Sequence, residues 1–288
     1  MFPTVKYRKV VDALVEDGTL REEQVLRPAP AGHEALRRVH TDAYLRKIRQ
    51  KDFTRREVLT LEVPLSDEFR RASVICAGGT TLAGRTALDD GICLHVGGGF
   101  HHAFPDHGEG FCLINDVAVA ARALAADGAA ERIAVVDCDV HHGNGTAAIF
   151  SGDERIFTFS MHQQRNYPAH KPPGDLDVGL RDGVGDAEYL EVLRGRLPEV
   201  LAWGPELVFY LAGADPYRDD QLGGLALTKR GLRERDRAVL EACAEEGVAV
   251  AVCLAGGYAV RLPDTVEIHC GTGRAAAEAR ERWTRKGV

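Results

Sequence analysis

The chain has 288 residues, 45% hydrophobic and 27% charged, with a formal net charge of −7. That length buries a full core without staples, and the acidic balance argues against sequence-blind nucleic-acid binding, which needs a basic face. No apolar run approaches the ~20 residues of a membrane span, and the opening "MFPTVKYRKV" lacks the apolar stretch of a secretory leader, so the chain reads as cytoplasmic.

Residues 4–50 read as helical, in two pieces broken at "LRPAPAG". The second piece, "HEALRRVHTDAYLRKI", carries Leu36, Val39, Tyr44, Leu45 and Ile48 at a mostly helical spacing. "LSDEFRRASVICAGGTTLAGRTALDDG" predicts a longer helix, capped by Ser66 with Asp67 and Glu68 in its first turn. The pattern then alternates. "ICLHV" is a short strand and "NDVAVAARALAADG" a helix. "RIAVVDCDV" and "RIFTFSMH" are strands. "AEYLEVLRGRLPEVLAWG" is helical with a break expected at Pro198. "ELVFYLAGAD" is a strand, "RGLRERDRAVLEACAEEG" a helix, "VAVAVCLAGGY" a strand and "TGRAAAEARERW" the closing helix. Strands alternating with helices imply one α/β domain over 1–288, with a mostly parallel central sheet and helices on both faces. The seven cysteines include no CxxC pair and read as reduced core thiols.

Ligands of open α/β sheets bind beyond the carboxyl ends of the strands. Four predicted strands end in chemically loaded stretches: "LHVGGGFHHAFPDHGEGF", "VVDCDVHHGNG", "FYLAGADPYRDD" and "CLAGGYA". Asp137, Asp139 and His141 are spaced i, i+2, i+4, which on an extended strand places them on one face. Buried together, such groups are costly unless a cation neutralises them. Two carboxylates and an imidazole suit zinc or another divalent transition metal, and a catalytic site keeps a position open for water. Asp215, at the end of another strand, is the candidate for the remaining ligand. The competing reading is a strand-end network satisfied by helix N-termini. The adjacent His101 and His102 follow a Gly-rich turn and suit a general base with an electrostatic partner beside a metal-bound water. His142 points away from the face of His141 and reads as structural. His33, His40, His107, His162, His170 and His269 belong to no clear constellation. Tyr258, after Gly256 and Gly257, is placed to donate to a developing oxyanion.

Taken together, "GGGFHHAFPDHGEGFCLINDVAVAA", "VVDCDVHHGNGTAAIF", "AGADP" and "AGGY", in that order, resemble the histone deacetylase family of the arginase/deacetylase fold. "HHAFPDHGEGFC", "FTFSMH" and "HTDAYL" are most similar to its class IV-type branch and bacterial relatives. The resemblance spans nearly the whole chain. It implies that Asp139, His141 and Asp215 bind a catalytic Zn2+, with Fe2+ as an alternative occupant. It implies that His102 is the general base and then acid, that Asp137 holds His101, that Asn144 contacts His102, and that Tyr258 polarises the carbonyl. Gly110 and Phe111, with Tyr167 and Leu222, would line a tunnel for a lysine-like arm. A structural K+ would sit on Asp137, Asp139, His141, Ser160 and Met161. The implied activity is hydrolysis of an acyl-lysine amide on a protein or peptide.

Three departures from the family pattern stand out. Asn144 occupies a place where many members carry Asp, which implies a lower pKa for His102. The chain starts at "FPTVKYRKV", where members usually carry a further strand and loop, so either a missing edge strand and a more open rim are expected, or the start lies further upstream. No acidic residue for gripping the substrate backbone is identifiable. Three rival readings share the motifs: a deacetylase of acetylpolyamines or other small amides, a two-manganese ureohydrolase, and a catalytically inactive acyl-amine binding protein. The ureohydrolase needs a "DxDxxDP" pattern, where this chain offers only "GADP".

Overall fold

Every residue of Ile133–Asp137, Leu207–Leu211 and Ala249–Cys253 is buried. Strands buried on both faces require cover on both sides. The computed structural model, which describes residues 4–285, supplies it. The elements begin with helices α1 (Val5–Glu16), α2 (His33–Arg37), α3 (Asp42–Gln50), α4 (Arg55–Leu61) and α5 (Asp67–Asp90). Strand β1 (Ile92–His95), helix α6 (Asp116–Ala126), strand β2 (Ile133–Asp137), helix α7 (Asn144–Phe150) and strands β3 (Ile156–Gln163) and β4 (Leu176–Leu180) follow. Helix α8 (Asp186–Ala202), strand β5 (Leu207–Leu211), helix α9 (Lys229–Glu246), strand β6 (Ala249–Cys253) and helix α10 (Leu262–Arg285) complete the described chain.

The six strands form one sheet in the order β1-β6-β5-β2-β3-β4. All pairings are parallel, so all carboxyl ends lie at one edge. Alternate residues feed two core layers. Val135 and Phe209 pack with Ala77 of α5 and Leu124 of α6 on one face. Val136 and Val208 pack with Tyr189 of α8 and Leu240 of α9 on the other. Phe209 is fully buried in the central strand β5. Phe209→Ala is expected to destabilise the fold by about 3–5 kcal/mol, measured as a lower urea midpoint at unchanged slope.

Several elements differ from the reading of the sequence. The second N-terminal helical piece divides, because the Thr41 hydroxyl accepts the Tyr44 N–H at 3.2 Å and starts α3 afresh. Pro198 lies inside α8 without ending it. The buried stripe Tyr189, Leu193, Leu197 and Val200 carries the helix past it. The closing helix begins at Leu262, ten residues early, with Pro263 in its first turn where a missing N–H costs nothing. The short α7 and the edge strand β4 are additional.

Candidate metal centre and active site

The loops beyond β1, β2, β5 and β6 meet over the sheet's carboxyl edge. Strand β2 ends at Asp137, so Asp139 and His141 stand on a turn, not on one face of an extended strand. The turn is built by the carboxylates themselves. Asp137 Oδ1 accepts the Asp139 N–H at 3.1 Å, and Asp139 Oδ1 accepts the His141 N–H at 3.0 Å. This curl brings His141 Nδ1 within 3.0 Å of Asp139 Oδ1 and 3.6 Å of Asp215 Oδ2. Asp215 reaches in from the loop after β5 and accepts the Val140 N–H at 2.9 Å on its other oxygen.

Asp139, His141 and Asp215 are buried, and their ligand atoms lie within 4.8 Å of one another. Asp215 Oδ2 is buried without a hydrogen-bond partner. Burial and the neighbouring Asp139 charge push the Asp215 carboxyl up to about 7. A divalent cation among these atoms would occupy the orphaned lone pair and relieve the repulsion. Space is kept for it: a Cβ on Gly256 would lie 2.0 Å from Asp215 Oδ2 and 2.5 Å from Asp139 Oδ2. The residues present therefore fit a metal ion, and oxygen and imidazole donors suit zinc or ferrous iron.

The tandem histidines are buried beside this group. His101 Nδ1 lies 2.6 Å from Asp137 Oδ2. Burial opposes a charge on His101, but Asp137 and Asp139 outweigh it and raise the pKa to about 9. His102 Nε2 lies 3.1 Å from His101 Nε2, and His102 Nδ1 lies 2.7 Å from Asn144 Oδ1. Burial, followed by the charges of His101 and His141, holds His102 well below the usual imidazole range. Tyr258 shares the pocket, and burial followed by its anionic neighbours keeps its phenol protonated. Gly110, Phe111, Tyr167 and Leu222 line the same pocket. Gly110 and Phe111 both have left-handed backbone, with φ of 51° and 67°. A side chain on Gly110 would meet His102 Cδ2 at 2.8 Å, so the turn is both strained and tight. Ser160 stands opposite Asp137 in the β2–β3 register, beside the fully buried Met161. The Ser160 hydroxyl pairs with His162 Nδ1 at 3.0 Å, which leaves a lone pair for a cation.

Several further residues belong to the site, and all but one of them carry no signal in local sequence. Glu62 lines the pocket from the end of α4. Glu109 accepts from Asn144 Nδ2 at 2.8 Å. Asp116 takes the Gly99 and Phe100 N–H groups at 3.1 and 2.7 Å and holds the turn before the histidines. Asp220 accepts the Tyr258 N–H at 2.6 Å and the Leu222 and Gly223 N–H groups at 2.8 and 3.1 Å. Lys6 is fully buried, and its Nζ reaches the Ala255 and Gly257 carbonyls at 3.3 and 3.5 Å. Burial lowers its pKa to about 8, against the pull of Asp215, Asp139 and Asp220. Lys6 alone had a readable signal: a charge on the buried stripe that includes Val10 and Leu14. His142 turns toward β4, with Nε2 3.2 Å from Asp177 and its ring against His162.

The model of the histone deacetylase domain matches residues 1–271. The chain belongs to the histone deacetylase family. This deacetylase-family chain is 41% identical over 278 residues to an uncharacterized protein of Picosynechococcus sp., covering 96% of this chain and 93% of that one. It is 32% identical to a "Probable deacetylase" of Archaeoglobus fulgidus, over 87% of this chain and 74% of the relative. It is 28% identical to "Histone deacetylase 2" of Arabidopsis thaliana, over 100% of this chain and 74% of the relative. A crystal structure of "an HDAC homolog complexed with SAHA" superposes with a TM-score of 0.79 at 22% identity, covering 95% of this chain and 77% of the other. That likeness shows that the two share the arginase/deacetylase fold. Membership of the family supports hydrolysis of an amide.

Proposed function

We propose that this deacetylase-family chain is a zinc-dependent amidohydrolase of the class IV type that removes an acetyl or longer acyl group from acyl-lysine. The observation that carries the reading is convergence. A buried Asp–His–Asp group, two tandem histidines and a protonated tyrosine open into one pocket. When held by Asp139, His141 and Asp215, zinc, or ferrous iron in its place, polarises the acyl carbonyl and lowers the pKa of water.

The chain's own groups do the rest. Neutral His102 accepts a proton from the attacking water at Nε2 and passes it to the departing amine nitrogen. His101, held by Asp137, supplies a positive neighbour. The Tyr258 O–H donates to the oxyanion that forms as the carbonyl is attacked. One water is consumed, the C–N bond breaks, and a carboxylate and a free amine leave. The Gly110 carbonyl accepts the amide N–H, while Phe111, Tyr167 and Leu222 wall the arm. Potassium beneath the site, on Asp137, Asp139, His141, Ser160 and Met161, would steady the turn that presents the ligands. The seven cysteines are thiols, which fits a cytoplasmic setting. Among the described residues no helix is long and apolar enough to cross a membrane.

One observation favours a second reading. Glu62 places a carboxylate in the lining of the pocket, which suits a cationic polyamine as well as a peptide backbone. Zinc-loaded protein should be assayed on a panel of acyl-lysine peptides, a trifluoroacetyl-lysine peptide and acetylpolyamines. Turnover of the peptides above the polyamines supports the acyl-lysine reading, and the reverse order selects the polyamine. Metal binding without turnover on any of them overturns both in favour of a binding protein.

A further inference from the structure

The base at the centre of the site is oriented through an amide. Asn144 is 2% exposed, and both ends of its side chain are engaged. Its Nδ2 faces Glu109 Oε1 at 2.8 Å, and its Oδ1 faces His102 Nδ1 at 2.7 Å. Burial raises the Glu109 pKa, but the neighbouring His107, Asn144 and Tyr167 side chains outweigh it and hold the carboxyl below its usual value. An ionised carboxylate only accepts hydrogen bonds, so the amide NH2 must face Glu109. The amide carbonyl must then face His102, and it too only accepts. His102 Nδ1 therefore carries the hydrogen, and Nε2 keeps its lone pair, which faces His101 Nε2 at 3.1 Å on the pocket wall. A flipped amide would present NH2 to Nδ1, select the opposite tautomer and block Nε2 with a proton.

We propose that Glu109 is a positioning residue for His102, acting through Asn144 to set the imidazole tautomer and to supply the anion that a directly bonded carboxylate supplies elsewhere in the family. The inference rests on the role given above to His102. It turns the Asn144 departure into half of a pair. Where the residue beside the imidazole is neutral, the negative charge has moved one residue outward. Glu109 is itself braced, with His107 Nε2 at 3.6 Å and the Tyr167 hydroxyl as a further partner.

The test is a double-mutant cycle in zinc-loaded protein, read as kcat and KM on the trifluoroacetyl-lysine peptide, with zinc content and melting temperature measured for each variant. Glu109→Gln adds an NH2 donor beside Asn144 and frees the amide to turn. It is expected to lower kcat about tenfold or more, with KM little changed, as loss of a correctly set general base requires. Asn144→Asp puts two carboxylates in contact and is also expected to lower kcat. The double variant lets the new carboxylate hold His102 while a neutral amide donates to it. It is expected to recover to within about threefold of wild type, above both single variants. A second cycle uses His102→Ala, in which Glu109→Gln should have no further effect on kcat. Independent multiplication of the single effects in either cycle, or an unchanged kcat in Glu109→Gln, overturns the proposal. If His102→Ala itself leaves kcat unchanged, the mechanism fails first and Glu109 with it.

Discussion

Tyr258→Phe lowers kcat by about 10²–10³, the usual cost of losing one oxyanion donor, while zinc content and melting temperature stay at their wild-type values. The reason lies in how the phenol is held. Its segment is tied by the Tyr258 N–H to Asp220, and by the Tyr258 carbonyl to the Gln221 N–H at 3.1 Å. The ring stands 5.8 Å from that of Phe111, on the pocket wall. Phenylalanine keeps those contacts and removes only the donor. Burial and the carboxylates of Asp215 and Asp139 keep the hydroxyl protonated, so it enters the reaction as a donor at any neutral pH. The bond strengthens as charge develops on the acyl oxygen. The loss therefore falls on kcat and kcat/KM alike, with KM little changed. An equal rise in KM with kcat intact would assign Tyr258 to substrate binding instead.

Asp215→Asn is expected to abolish zinc-dependent turnover and zinc-dependent stabilisation together. In wild-type protein, zinc at about 100 times its Kd adds about 2.7 kcal/mol of stability if it binds only the folded state. That appears as a rise of several degrees in the melting temperature, and the variant should show none of it. The metal-free protein provides an independent readout. A carboxyl raised from 3.8 to about 7 binds more protons folded than unfolded. Its contribution is fully present below pH ~4 and is lost as pH rises through ~7. Metal-free wild type should thus lose stability across that window, and Asp215→Asn should flatten this part of the curve. Retention of the zinc-dependent melting shift in the variant would remove Asp215 from the ligand set.

The chemistry was legible where it is contiguous. Asp137, Asp139 and His141 lie within five residues, and His101 and His102 are adjacent. The first group ends a run whose apolar character marks a buried strand, and the second follows a shorter apolar run across a Gly-rich turn, so both point to the carboxyl end of the sheet. Even there the local geometry was misread. Asp139 and His141 are brought together by side-chain hydrogen bonds to the backbone of a turn, and these override the period-2 alternation of a strand. The short α7 left a weak pattern because it is buried nearly all round and mixes Asn144, Gly145 and Thr146 with its apolar residues, and the edge strand β4 because all of it but its last residue is partly or fully exposed. Pro198 was read from propensity alone, and packing of α8 overrode it.

By itself, the sequence determined the alternation of strands and helices, the parallel sheet with helices on both faces, and the identities of the ligand and base candidates. Those depend on periodicity and on residues close together along the chain. Only the tertiary structure decided what surrounds them. Asn144 meets Glu109 across 35 residues, and Lys6 meets the Ala255 carbonyl across 249. Glu62, Asp116 and Asp220 are ordinary acids in sequence. They acquire roles only where folding removes water and leaves each carboxylate facing a particular N–H or the pocket. A hydrogen bond depends on distance in space, to which chain order gives no guide. The residues that perform the proposed chemistry can therefore be read in line, whereas those that orient it cannot.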